Sequence, residues 1–243
     1  MWPWHHANPT TLPDSLTLAG REIPLDVTRH ARAKRMTLRF DSQRRVVRLS
    51  LPPRASQKLA ARFLQEKRHW LEAQVTSAPI AVPYQHGMVL PVLGDELTLH
   101  HTETERTRIR RVENTLQVET ATRHLSAKLE DWLKKEFRAT ALEDAYDYAQ
   151  ALGVTFKRLS VREATSRWGS CSTSGTISLN WRLVFAPTDV RRYVVAHEIA
   201  HIEAMHHGPE FWQLVEQVHP EYKAHRKWLH QHAARLHAYG KAA

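Results

Sequence analysis

Cysteine is almost absent from this chain: Cys171 is the only one in 243 residues. That excludes an intramolecular disulfide and removes any structural need for an oxidising compartment, so a cytoplasmic setting is expected. Long apolar runs are missing as well. No stretch reaches the ~18 apolar residues that a membrane-spanning helix needs. The opening MWPWHHANPTTLPDSLTLAG lacks a positive segment followed by an apolar one, so neither a membrane partner nor a secretory signal is expected. There is no glycine-rich phosphate loop, no aromatic-interleaved RNA motif, no evident internal repeat and no low-complexity tract. What remains is an ordinary globular composition, 42% hydrophobic and 25% charged, on a chain long enough for one large domain or two small ones.

Charge is unevenly spread. The net charge is +10, and residues 1–79 carry +8 of it (14 basic, 6 acidic side chains) against +2 for residues 80–243 (21 and 19). A polyanionic partner would therefore meet the N-terminal third. There, RMTLRFDSQRRVVRLSLP reads as a hairpin: Met36, Leu38 and Phe40, then Val47, Leu49 and Leu51, alternate with polar residues around a turn at Asp41-Ser42-Gln43. The period places Arg35, Arg39 and Arg48 together on the face away from the core.

PPRASQKLAARFLQEKRHWLEAQV follows as one amphipathic helix with Ser56 as N-cap and Leu59, Phe63, Trp70 and Leu71 at helical spacing. Residues 77–91 read as a connection. Short strands are expected around Leu97–His101, Thr107–Val112 and Thr115–Val118, then a long helix from about Thr122 to Leu152 closed by Gly153. Strands 158–164 and 175–183 flank the loop TSRWGSCSTS. A helix over about Asp189–Met205, another opened by Gly208-Pro209, and a last amphipathic helix over PEYKAHRKWLHQHAARLHAY complete the chain. The order makes an α+β protein, with a β-rich domain over 1–120 and a helical metal-binding domain over 121–243.

The chemistry sits in HEIAH. His197 and His201 are four apart on a helix, so both imidazoles project from one face, one turn apart, as two nitrogen ligands of a tetrahedral zinc require. Glu198 lies beside them, where its carboxylate can reach a metal-bound water and act as general base. Val190, Tyr193 and Val194 precede the histidines on an apolar stripe, and buried polar groups of this kind need a strong partner. A third ligand is needed. His206 and His207 both leave the ligand face of a continued helix, so the helix must break, with Gly208-Pro209 as the breaker and His207 favoured over His206; a carboxylate, Glu216 or Glu221, is the other arrangement. Zinc, one per chain, is the expected ion, with another divalent metal as the alternative.

SRWGSCSTSGTISLNWRLVFAPTDVRRYVVAHEIAHIEAMHHGPEFW closely resembles the YgjP-like metallopeptidase-domain family, a zincin-type group related to the SprT-like proteins. The matching features are Arg167–Cys171, Leu179–Leu183, His197–His201, and His207 with Phe211-Trp212. The likeness extends upstream to the Arg-rich hairpin, EKRHWL and LPVLGDELTL. The family commonly has Asn-His-Ser-Pro where this chain reads His206-His207-Gly208-Pro209, a register that implies His207 as ligand. The resemblance implies a metal hydrolase more firmly than a peptide substrate.

Other residues carry weaker expectations. Arg167 and Ser170 could stabilise a developing oxyanion, or simply shape a turn at Gly169. Cys171 reads as a small buried residue rather than a ligand or nucleophile. TISLNW resembles the edge strand to which zincin proteases pair an extended substrate, and Phe211 and Trp212 read as packing behind His207. The leading expectation is a cytoplasmic zincin-type peptidase. Two alternatives stand beside it: a nucleoside triphosphate pyrophosphohydrolase whose phosphates meet Arg35, Arg39 and Arg48, and a nucleic-acid module with a structural metal.

Overall fold

In the computed structural model, which describes residues 12–41, 44–77, 81–164 and 166–240, Ala19-Gly20 turns the chain between two strands that the sequence reading had not placed. These are β1 (Ser15–Leu18) and β2 (Arg21–Arg29); both turn residues have positive φ, 49° and 74°, the twist a two-residue hairpin favours. The expected hairpin follows as β3 (Thr37–Asp41) and β4 (Val46–Leu51), with Leu38 opposite Leu49 and Arg39 opposite Arg48. Ser42 and Gln43, at its expected turn, lie outside the described residues. β2 runs parallel to β4, giving the order β1-β2-β4-β3.

Leu16, Leu18, Ile23, Leu25, Val47, Leu49 and Leu51 form one apolar face. It is covered not by one helix but by two, α1 (Gln57–Glu66) and α2 (Arg68–Ser77), which part at Lys67. Ser56 does cap α1, its side chain accepting the Leu59 N–H at 3.2 Å. The buried stripe keeps one helical phase across the break but runs one residue later than expected. Leu59 and Trp70, expected on the buried stripe, are 51% and 43% exposed, while Ala60, Leu64, Leu71 and Val75 are buried.

A second four-stranded sheet repeats the first. β5 (Val89–Val92), β6 (Asp95–Thr102), β7 (Arg108–Val112) and β8 (Thr115–Glu119) take the order β5-β6-β8-β7, with β6 parallel to β8. Leu93-Gly94 makes the same positive-φ turn as Ala19-Gly20, and a helix again follows the fourth strand. The expectation of no internal repeat is therefore corrected at the level of backbone: sheet pairing is shared where most side chains are not. Leu18-Ala19-Gly20-Arg21-Glu22-Ile23 against Val92-Leu93-Gly94-Asp95-Glu96-Leu97 is the residual trace.

The chain divides into units Met1–Ile80 and Ala81–Ala243, so the boundary falls at 80/81 and not after residue 120. The cause is burial: Leu97, Leu99, Leu116 and Val118 share one core with Leu129, Leu133 and Phe137 of α3 (Leu125–Leu152). α3 ends at Gly153, as expected. β9 (Arg158–Arg162), β10 (Gly169–Cys171) and β11 (Thr176–Asn180) form a small sheet in the order β10-β11-β9. Trp181–Phe185, expected to prolong the last strand, is a 3₁₀ turn capped by Asn180, whose side chain accepts the Arg182 N–H at 3.1 Å.

Helices α4 (Thr188–Ala200), α5 (Pro209–Val218) and α6 (Tyr222–Leu236) complete the unit. α4 is anchored through its N-terminal turns. Its first turn meets the β5–β6 turn, where Thr188 Oγ1 donates to the Leu93 carbonyl at 3.4 Å and a Cβ on Gly94 would overlap that hydroxyl. Farther along, Arg191 and Arg192 bind Asp144 of α3 at 3.0 and 3.2 Å. Arg191 and Asp144 are each 4% exposed. Burial raises the Asp144 carboxyl pKa despite both guanidiniums, so this pair orients α4 more than it stabilises the fold. Among the described residues, no helix is long and apolar enough to cross a membrane.

Candidate metal centre

Helical spacing puts His197 and His201 on one side of α4, their ring centroids 4.9 Å apart. α4 stops at Ala200, short of the expected Met205, and this is where the helix breaks. Ile202 N–H turns to the Ile199 carbonyl, and His201 Nδ1 takes the Ala204 carbonyl at 3.0 Å. The earlier break lets residues 202–208 double back before Pro209 opens α5. His207 thereby returns to α4, with its Nε2 3.1 Å from His197 Nε2. One nitrogen each of His197, His201 and His207 lie within 4.8 Å of one another. His206 is exposed and not part of this cluster, and its carbonyl accepts the Gly208 N–H. Glu216 and Glu221 face Lys223 and His225 instead.

The donor set fits a metal. Two nitrogens on one tetrahedral zinc at ~2.0–2.1 Å bonds stand ~3.3 Å apart, close to the His197–His207 spacing. The Ala204 carbonyl fixes the His201 tautomer by taking the Nδ1 proton, which leaves Nε2 as a lone-pair donor. Burial, then the neighbouring His201 and His207, lower the His197 pKa to about 3. Burial lowers that of His201 too. Neutral imidazoles are what a cation requires. Phe211, fully buried, sits behind the three rings at 4.4–4.8 Å, and Trp212 stacks on His207 at 5.7 Å.

Glu198, 4% exposed, has a buried Oε2 without a hydrogen-bond partner among the described residues. Burial pushes its pKa up to about 8, with the Arg167 guanidinium acting the other way. Its carboxylate lies against Gly169 of β10: a Cβ there would overlap Oε1, Cδ and Cγ. Gly169→Ala is therefore expected to move the carboxylate and cut turnover by about 100-fold, with metal content unchanged. Steady-state kinetics beside metal analysis check this, and wild-type turnover in the variant would show that the contact is immaterial.

The other sequence candidates separate. Arg167 lines both the cavity of His197 and Glu198 and a neighbouring one of about 340 Å³, and Ser170 lines only the latter, with Arg162 and Asn180. β11 lies between β10 and β9, so TISLNW is not an edge; the edge beside the centre is β10. Cys171 is half-buried, and burial with the nearby Glu198 raises its thiol pKa, the opposite of an activated nucleophile. In the N-terminal unit, Arg35 lies in an exposed bend before β3, and Arg48 is drawn to Asp41 (3.4 Å) and Asp26 (4.0 Å). Arg39 pairs opposite Arg48 in the β3–β4 ladder, as expected. Sequence reasoning missed Arg226, Leu229, His230 and Ala233, one face of α6 that lines the metal cavity. Their i, i+3, i+4, i+7 spacing reads as a helix face but carries no sign of what it faces.

The YgjP-like metallopeptidase domain model matches residues 34–232. No curated protein matches the chain. Among solved structures, the metallopeptidase zymogen abylysin of Pyrococcus abyssi aligns at 23% identity over 37% of this chain and 93% of its own, with TM-score 0.35. The metallopeptidase zymogen jannalysin of Methanocaldococcus jannaschii aligns at 17% identity over 38% of this chain and 96% of its own, also with TM-score 0.35. With the family model spanning both the N-terminal hairpin and the histidine cluster, this chain belongs to the YgjP-like metallopeptidase-domain family.

Proposed function

We propose that this chain is a zinc-dependent peptidase in which His197, His201 and His207 hold one metal and Glu198 is the general base. The observation that carries the reading is the convergence of three imidazole nitrogens beside a desolvated carboxyl whose Oε2 has no hydrogen-bond partner among the described residues. Three imidazoles suit zinc over the harder magnesium or calcium, which favour oxygen ligands. When bound, the ion supplies Lewis-acid polarisation and a positive charge next to Glu198. The chain's own groups do the rest. Glu198 takes a proton from the attacking water at a carboxylate oxygen and returns it to the departing amine nitrogen. Gly169 lets that carboxylate sit close to β10, whose free edge is suited to pairing with an extended peptide backbone. Arg167, in the same cavity, is placed to meet negative charge as it develops on the substrate carbonyl oxygen.

Peptide hydrolysis is favoured over attack on a phosphoanhydride because Arg48, one of the arginines expected to contact phosphates, is drawn to Asp26 and Asp41. The test is to load the full chain with zinc and incubate it with a peptide library and a nucleoside triphosphate panel in parallel, reading products by mass spectrometry. Peptide fragments are expected. Cleavage confined to the nucleotides would overturn the peptide assignment, and one zinc per chain without any hydrolysis would overturn the enzyme.

A further inference from the structure

The cavity that holds His197 and Glu198 has a volume of about 510 Å³ and is lopsided in charge. Among the described residues Glu198 is the only carboxylate lining it, while two guanidiniums, Arg167 and Arg226, reach it from different elements. Both arginines are exposed, and among the described residues neither forms a salt bridge. The buried arginines of this unit are matched, Arg182 with Glu163 and Arg191 with Asp144. Two unmatched cations facing one concave, partly apolar space focus positive potential into it.

Arg226 is held in place without being neutralised. Its guanidinium lies over the Trp212 ring at 5.0 Å, and Trp212 is itself stacked between Tyr222 (5.1 Å) and His207 (5.7 Å). A continuous stack thus runs from a metal-ligand ring to the guanidinium. A guanidinium held over an aromatic ring keeps its charge, and its N–H groups can take a carboxylate in a two-pronged hydrogen bond. Tyr193 and Leu229 supply an apolar wall for the carbons that bear such a group.

We propose that Arg226 is a specificity-determining residue that binds a carboxylate of the substrate, so that peptides are cut beside an acidic side chain or near a free C-terminus. The assignment deepens the peptidase reading and rests on it. Both sources present the same planar anion, and matched peptides separate them.

The experiment uses the zinc-loaded full chain carrying Glu198→Gln, so that peptides bind without being consumed, and measures affinity by calorimetry. Three peptides of one length are compared: a glutamate-containing amidated peptide, its glutamine counterpart amidated, and the glutamine peptide with a free C-terminus. A charge-assisted, two-pronged hydrogen bond predicts about 10- to 100-fold tighter binding for a carboxylate-bearing peptide over the neutral one. The first peptide winning identifies a side-chain carboxylate, and the third a terminal one. Adding Arg226→Gln should bring the peptides to parity while zinc content stays at one per chain, and Arg226→Lys should restore only part of the preference because it keeps charge but not the fork. Equal binding of all three, no binding of any, a preference untouched by Arg226→Gln, or tight binding of nucleoside triphosphates alone overturns the proposal. The readout is independent of turnover. A wild-type chain that cleaves neutral and acidic peptides alike would leave the peptidase reading standing and this one fallen. A chain that cleaves no peptide, whatever it binds, overturns both.

Discussion

Glu198→Gln is expected to lower kcat by about 10²- to 10⁴-fold, the contribution typical of a positioned general base, and to leave one metal per chain. Glutamine keeps the shape of the side chain but cannot take a proton at Oε. The substitution is also structurally mild. Glu198 is 4% exposed and its Oε2 has no hydrogen-bond partner among the described residues, so no bond is broken there. Its carboxyl has a pKa of about 8 in the metal-free chain, so at neutral pH the glutamate is already mostly uncharged and the neutral amide replaces a neutral acid. Single-turnover kinetics with metal analysis on the same samples decide the matter. A variant retaining a tenth of wild-type turnover would remove Glu198 from the proton-transfer role, and a variant losing its metal would make it a ligand.

How much of this was legible in sequence follows from how local each signal is. His197 and His201 were readable because four residues on a helix always give one face, and the β3–β4 hairpin because Leu38 and Leu49 alternate with arginines around a short turn. The parallel pairings of β2 with β4 and of β6 with β8 were not, since each joins segments across an intervening strand and no residue pattern marks the partner. β1 and β2 were overlooked although Leu16, Leu18, Ile23 and Leu25 alternate, with Pro24 interrupting the run. The position of the α4 break was misplaced because it depends on a three-dimensional competition: His201 Nδ1 and the Ile202 N–H take up carbonyls that a longer helix would have used. Gly208-Pro209, the sequence's visible breaker, only starts the next helix. Arg226 was invisible for a related reason. Its partner in the stack, Trp212, lies on a different helix, and what α6 faces is settled by the packing of α4, α5 and α6 together.

Removing the metal is expected to abolish hydrolysis and to lower the melting temperature by on the order of 10 °C, since a ligand at a thousand times its Kd adds ~4 kcal/mol to stability and ~1 kcal/mol moves the midpoint ~2–4 °C in a domain of this size. His197→Ala should show the low midpoint with or without zinc. The stripped chain should also carry a distinctive pH profile from two oppositely shifted groups. His197 is depressed from its ordinary 6.5 to about 3, so its contribution is fully present above pH 6.5 and is lost as the pH falls through 3, the unfolded chain binding the extra proton in between. Glu198 is raised from 4.5 to about 8, so its contribution is fully present below pH 4.5 and is lost as the pH rises through 8. Between pH 4.5 and 6.5 the two slopes oppose each other, each about 1.4 kcal/mol per pH unit. Their combined effect is a flat optimum there, with stability falling on both sides. Zinc acts on both limbs. It requires His197 neutral, which suppresses binding in acid, and its charge favours the ionised Glu198, which removes the alkaline fall. Chemical denaturation across pH, with and without the ion, reads this directly, and Glu198→Gln in the stripped chain should erase the alkaline limb alone. An alkaline limb that survives Glu198→Gln, or that zinc leaves unchanged, would mean that the buried carboxylate and the three histidines do not share one electrostatic site.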